Sequence, residues 1–67
     1  MIQEKYGSAL ADLNHAIELD DQNSAYFGLR GTLKYQLEDK TGACGDWKVA
    51  EMLGEPRMDF HIKRYCE

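Results

Sequence analysis

The sequence predicts an all-α protein of four helices joined by short turns. Apolar residues recur at spacings of three and four along the chain, and no stretch shows the alternation that is typical of a β-strand. Polar or glycine-containing clusters interrupt this pattern around residues 20–23, 38–39 and 54–56. The predicted helices cover 6–19, 24–37, 40–53 and 57–65.

The first helix carries two adjacent apolar rows. One row consists of Tyr6, Leu10, Leu13 and Ile17, and the other of Ala9, Leu13, Ala16 and Leu19. Gly7 weakens a helix by about 1 kcal/mol relative to alanine, so we expect this helix to begin properly only around Tyr6. Residues 20–23 are turn-forming, and Ser24 is the predicted N-cap of the next helix.

The second helix is apolar on more than one side, which predicts that it packs between neighbours. Gly28 and Gly31 inside it indicate that another helix crosses closely. Gly54 is the predicted C-terminal cap of the third helix, and Pro56 predicts the start of the fourth. The apolar residues of the fourth helix are Met58, Phe60, Ile62 and Tyr65.

The third helix carries one dominant stripe, formed by Ala43, Trp47, Ala50 and Leu53. The residues 34 positions earlier are Ala9, Leu13, Ala16 and Leu19, and Asp12 matches Asp46 in the same way. A period of about 34 residues, with a helix pair in each unit, is the signature of the tetratricopeptide repeat. Phe27, Gly31 and a displaced Tyr35 are similar to that family's first-helix pattern, so the chain resembles this family.

The resemblance is closer to a bacterial subset that ends in Gly-Ala-Cys-x-Asp-Trp-Lys-x-Ala-x-x-Leu-Gly and Lys-x-Tyr-Cys, here residues 42–54 and 63–66. It implies one domain, an antiparallel helix-turn-helix solenoid fragment with right-handed stacking. Residues 1–21 would be the second helix of a partial repeat, 22–54 a complete repeat and 55–67 a capping helix. The departures are Asp21, Arg30, Lys34 and Glu38, which stand where proline, leucine, an aromatic and glycine are usual.

The composition and length of the chain indicate which classes of partner and which location to expect. Twelve acidic and eight basic residues give a net charge of -4, which disfavours a nucleic-acid or anionic-membrane partner. The sequence lacks both the run of about 20 apolar residues that a membrane span needs and the apolar core of a signal peptide, so a cytoplasmic location is the default. A chain of 67 residues needs stabilisation beyond its core, from a disulfide, self-association or neighbouring repeats.

The two cysteines leave two interpretations open. If the third and fourth helices form an antiparallel hairpin, Cys44 lies opposite Cys66, and a disulfide would indicate a periplasmic or secreted protein. Two packed thiols in a reducing cell are the other interpretation. Zinc held by Cys44, Cys66 and His61 is disfavoured because no closely spaced ligand pair and no fourth donor are present. We expect no cofactor and no metal, and we expect Trp47, Met52, Met58 and Phe60 to be core residues.

The functional surface that the resemblance implies is the concave face of the second helix. Its residues here are Ala25, Gly28, Leu29, Thr32, Tyr35 and Gln36. The clamp that holds chaperone C-termini is absent, because Gly28, Leu29 and Thr32 stand at its lysine and asparagine positions. The leading prediction is a non-catalytic scaffold that binds a peptide or partner helix. The alternative is a homodimer through an uncovered face of the first helix, formed by Tyr6, Leu10, Leu13 and Ile17.

Overall fold

Residues 2–66, which the computed structural model describes, form four α-helices and no strand. The helices are α1 (Ile2–Leu19), α2 (Ser24–Gln36), α3 (Lys40–Met52) and α4 (Met58–Tyr65). The all-α prediction is confirmed, and the bounds of α2, α3 and α4 differ from the prediction by a single residue. The helix α1 begins at Ile2 rather than around Tyr6, because the cost of one glycine, about 1 kcal/mol, is too small to end it.

The N-cap of α2 is Asn23, not Ser24. The Asn23 side chain accepts hydrogen bonds from the backbone N–H groups of Ala25 at 3.1 Å and Tyr26 at 3.3 Å. The Ser24 hydroxyl instead donates to Glu55 Oε1 at 2.9 Å. This bond ties the first residue of α2 to the turn that precedes α4.

Three turn residues have positive φ: Glu38 at 67°, Gly54 at 101° and Arg57 at 72°. Gly54 follows the end of α3, where its N–H donates to the carbonyl of Glu51 at 3.0 Å, in agreement with the predicted cap. Pro56 lies in the turn and not at the helix start. Arg57 is the N-cap of α4, and its left-handed conformation delays the helix to Met58.

The helix α2 packs against both α1 and α3, as its apolar faces predicted, and α3 packs against α4. The helices α2 and α4 run in the same direction. Met58, at the start of α4, contacts Gly28, and the ring of Tyr65, at the end of α4, lies 4.9 Å from the ring of Tyr35. The molecule is a slab of 30 × 27 × 15 Å, too thin for helices on every side of α3.

The core lies on the stripe of α3. Ala43, Trp47 and Ala50 are buried together with Met58, while Leu53 is half-buried at the end of the helix. A Cβ atom on Gly31 would lie 2.5 Å from Trp47 Cδ1 and 3.0 Å from the carbonyl oxygen of Ala43. The close crossing that Gly31 predicted is therefore confirmed, with the Trp47 ring filling the space.

Two residues that we expected in the core are exposed. Met52 is 82% exposed and Phe60 is 60% exposed. The prediction that both residues are buried, which rested on their apolar character, is wrong. The outer sides of α3 and α4 have no neighbouring helix among the described residues, because the molecule is a thin slab.

The stripe of α1, which is the first copy of the repeated pattern, has a different environment from the stripe of α3, which is the second copy. Ala9, Leu13 and Ala16 are only half-buried, and Leu19 is 76% exposed. On the adjacent row Ile17 is buried, and Tyr6 and Leu10 are half-buried. The predicted uncovered face Tyr6, Leu10, Leu13 and Ile17 is thus wrong at Ile17. Ala9, Leu13 and Ala16 of the stripe line an open groove between α1 and α2.

Candidate functional site

The six predicted groove residues of α2 do not form one open surface. Ala25, Leu29, Thr32 and Gln36 are exposed, and we call these four the α2 face. Gly28 is buried, with the sulfur of Met58 3.8 Å from the position of a Cβ, and its carbonyl accepts a hydrogen bond from Trp47 Nε1 at 3.3 Å. Tyr35 is half-buried. These two residues lie on the flank of α2 that packs against α3 and α4.

A small cavity of about 130 Å³ opens between α2 and α4, and we call it the α2–α4 groove. It is lined by Thr32, Tyr35, Gln36, Trp47, His61 and Tyr65. The centroid of the Trp47 ring lies 5.4 Å from that of His61 and 5.6 Å from that of Tyr65, so the aromatic side chains that line the groove pack against one another. The sequence pattern did not predict His61 and Tyr65 as groove residues, although their spacing of four residues places them on one side of α4.

A larger cavity of about 480 Å³ lies on the other flank of the α2 face, between α1 and α2. We call it the α1–α2 groove. It is lined by Ala9, Asp12, Leu13, Ala16, Leu29 and Leu33. Among the described residues that line it, Asp12 is the one charged residue and the other five are apolar. Its α1 wall is the half-buried first copy of the repeated stripe.

A partly buried ion pair, in which Asp46 is the buried member, joins α2 to α3. Arg30 donates from Nε to Asp46 Oδ2 at 2.8 Å and from Nη2 to Oδ1 at 2.9 Å, and Lys34 Nζ lies 3.2 Å from the same Oδ2. The hydrogen bond to Asp46 raises the pKa of Arg30 above its ordinary value, an effect that partial burial opposes. A further bond runs from Arg30 Nη1 to Asn14 Oδ1 at 3.0 Å, so Arg30 also reaches α1.

The sequence pattern identifies Arg30 and Lys34 only as positions where the family usually has leucine and an aromatic residue, and it did not predict their ion pair with Asp46. Their spacing of four residues places both on one side of α2, which was the available signal that they share a partner.

Cys44 and Cys66 form a disulfide with their Cα atoms 5.8 Å apart. The bond joins α3 to the C-cap of α4, at the heights where the hairpin register places the two cysteines opposite each other. Both sulfurs are engaged, so neither cysteine is a thiol ligand or nucleophile in this state. Lys40 and Lys48 lie in the shallow cavity beside the disulfide.

Among residues 5–66, whose side chains the structure describes, no group of three His, Cys, Asp or Glu side chains could hold a metal ion. His61, one of the candidate zinc ligands, lies in the aromatic cluster, with Nδ1 3.2 Å from the carbonyl oxygen of Arg57. Within the same described range, no helix has both the length and the apolar character needed to cross a membrane.

The α2 face with a groove on each flank is therefore the candidate site. Comparison of the chain with protein-family models, with curated proteins and with solved structures gives no match.

Proposed function

We propose that this chain is a non-catalytic protein-interaction scaffold of the tetratricopeptide type, which binds a peptide or a partner helix along α2. The observation that carries the proposal is the α2 face, an exposed helical surface with a concave groove along each side. Leu29, which is 57% exposed, supplies apolar contact area, and Thr32 and Gln36 supply hydrogen-bonding groups.

The relation between the helices supports the repeat assignment. The first residues of α2 and α4, Ser24 and Met58, are 34 positions apart in the sequence, and the two helices run in the same direction. The helix pair α2–α3 crosses at Gly31 and Trp47, where a small residue admits a large ring. Successive first helices that run in the same direction are expected of a helix-pair repeat with a period of about 34 residues, and right-handed stacking is part of the proposal.

The chemistry of the side chains supports a non-catalytic role. The cysteines are bonded to each other, and the ring of His61 packs in the aromatic cluster. Among the described residues, every buried side-chain nitrogen and oxygen has a hydrogen-bond partner, so none is held unpaired toward a substrate. The α1–α2 groove, at about 480 Å³, falls within the range of about 300–1,000 Å³ of small-molecule pockets, but Asp12 is the one charged residue among its described lining residues. The α2–α4 groove, at about 130 Å³, is smaller than that range. Its volume suits a single side chain of a peptide.

Panning of a phage-displayed peptide library against the oxidised protein tests the proposal. We expect enriched peptides whose affinity falls about tenfold in a Thr32→Arg variant, because arginine at this exposed position obstructs the α2 face and the α2–α4 groove. Thr41→Arg is the matched control, since Thr41 is equally exposed but lies on α3 beside the disulfide. Failure to enrich any peptide, or equal loss of affinity in both variants, would contradict the proposal.

We also propose that the protein works in an oxidising compartment, in the periplasm or outside the cell, where the disulfide between Cys44 and Cys66 persists. The test is mass spectrometry of protein from its native source after thiol alkylation without reduction. An unalkylated chain supports the proposal, and two alkylated cysteines would place the protein in a reducing compartment.

A further inference from the structure

We propose that the α1–α2 groove binds an amphipathic helix of another protein, which directs two basic residues four positions apart toward Asp12. This inference rests on the proposed function and names one class of partner and the groove that receives it. It follows from the unequal environments of the two copies of the repeated stripe.

The second copy shows what the stripe binds. In α3 the residues Ala43, Trp47 and Ala50 are buried, and α2 crosses them with Gly31 against the tryptophan ring. In α1 the equivalent residues Ala9, Leu13 and Ala16 are half-buried and line an open groove. The same pattern of small and large residues is thus covered by a helix in one copy and open in the other.

An aspartate lies beside each stripe, Asp46 in α3 and Asp12 in α1, and it indicates which side chains a helix bound in the α1–α2 groove should carry. Asp46, next to the covered stripe, pairs with Arg30 and Lys34, which lie four residues apart on the covering helix. Asp12 occupies the equivalent position in α1, is exposed and lines the groove. A helix that docks on α1 as α2 docks on α3 would therefore bring its basic pair to Asp12.

The depth of the groove sets the size of the residue at the crossing. Leu13 stands where α3 has Trp47, and leucine fills less space than the indole ring that excludes a Cβ from Gly31. The far wall is apolar, formed by Leu29 and Leu33 one turn apart on α2. The occupant can therefore carry alanine or a larger apolar residue at its crossing point, where α2 requires glycine.

A second copy of this chain is a poor occupant. Arg30 and Lys34 are the only lysine or arginine residues four positions apart in the sequence, and both pair with Asp46 of their own copy. Apposition of two α1 helices through the stripe would bring Asp12 of each copy to a surface that carries no lysine or arginine pair four positions apart. The charges favour a basic partner over self-association.

The probe is a labelled synthetic peptide of residues 24–37, the sequence of the helix that covers the second stripe. A hydrocarbon staple at positions 32 and 36, which are exposed in α2, keeps the peptide helical. Fluorescence anisotropy should show saturable binding to the oxidised protein. Asp12→Lys should weaken binding about tenfold, whereas Glu18→Lys, the same charge change on another side of α1, should alter it by less than about twofold.

Charge exchange tests the pairing itself. A peptide with Arg30→Glu and Lys34→Glu should bind the wild-type protein about tenfold more weakly, and should recover affinity on the Asp12→Lys variant. Absence of saturable binding, equal weakening by both α1 substitutions, or lack of recovery would overturn the proposal. A dimer in light scattering that Asp12→Lys dissociates would overturn it in favour of self-association. If these tests fail while Thr32-dependent peptides are still enriched by panning, the scaffold function stands and only this partner is excluded.

Discussion

At the scale of single residues, the turns contain two side chains in a conformation that favours glycine. Glu38 and Arg57 have φ of 67° and 72°, and a residue with a Cβ pays about 1–2 kcal/mol for a left-handed backbone. Glu38 precedes the cap of α3, where Asp39 accepts a bond from the N–H of Gly42 at 3.0 Å. The positive φ of Glu38 is therefore a physical reason to expect glycine at this place.

Glu38→Gly should therefore raise the free energy of unfolding by about 0.5–1 kcal/mol, since relief of strain exceeds the added entropy of the unfolded chain. The control is Glu51→Gly, the same substitution at an exposed position inside α3, which should lower it by about 1 kcal/mol. Urea denaturation followed by Trp47 fluorescence measures both. A destabilised Glu38→Gly variant would show that the turn is not left-handed.

Gly31→Ala should lower the free energy of unfolding by about 1–3 kcal/mol, because the new Cβ would lie 2.5 Å from the ring of Trp47. Gly45→Ala is the matched control inside α3. It has nothing within 4 Å of its Cβ position, so helix propensity alone acts and stability should rise by about 1 kcal/mol. Equal effects of the two substitutions in thermal denaturation would disprove the close crossing of α2 and α3.

At the scale of elements, the ion pair of Asp46 with Arg30 and Lys34 orients α2 on α3. An arginine guanidinium stays charged at any pH at which the protein is handled, and the hydrogen bond to Asp46 raises the pKa of Arg30 further, so the pair persists on the basic side of neutrality. Asp46→Asn keeps the shape and removes the charge, and should lower the free energy of unfolding by about 2 kcal/mol.

Asp12→Asn, the control at the exposed equivalent position, should change the free energy of unfolding by less than about 0.5 kcal/mol. The same denaturation experiment compares the two variants. If both substitutions lower the free energy of unfolding by an equally small amount, Asp46 does not hold α2 in place.

Helical periodicity predicted α2, α3 and α4 to within one residue at each end, because period and turn residues are local properties. It could not predict which side of a helix would find a neighbour, so Met52 and Phe60 were misplaced. The ion pair of Asp46 and the α4 wall of the α2–α4 groove depend on the register between helices. Periodicity within one helix carries no information on that register.

At the scale of the whole molecule, a slab of 15 Å thickness buries few side chains, and the disulfide compensates. Its cysteines are 22 positions apart, a loop for which the chain-entropy model gives about 3 kcal/mol. Reduction, or the double change Cys44→Ser with Cys66→Ser, should lower the free energy of unfolding by about that amount. Thermal unfolding with and without a reducing agent measures it, and an unchanged midpoint would mean that packing alone holds α4.

The proposed function requires that α2 presents a binding surface for protein segments. The most direct test is NMR chemical-shift mapping of the ¹⁵N-labelled oxidised protein during titration with a peptide enriched by panning. We expect the largest shifts at the amides of the α2 face, Ala25, Leu29, Thr32 and Gln36, and along the groove beside it. Shifts confined to the disulfide side, at Lys40, Thr41 and Lys48, would contradict the claim.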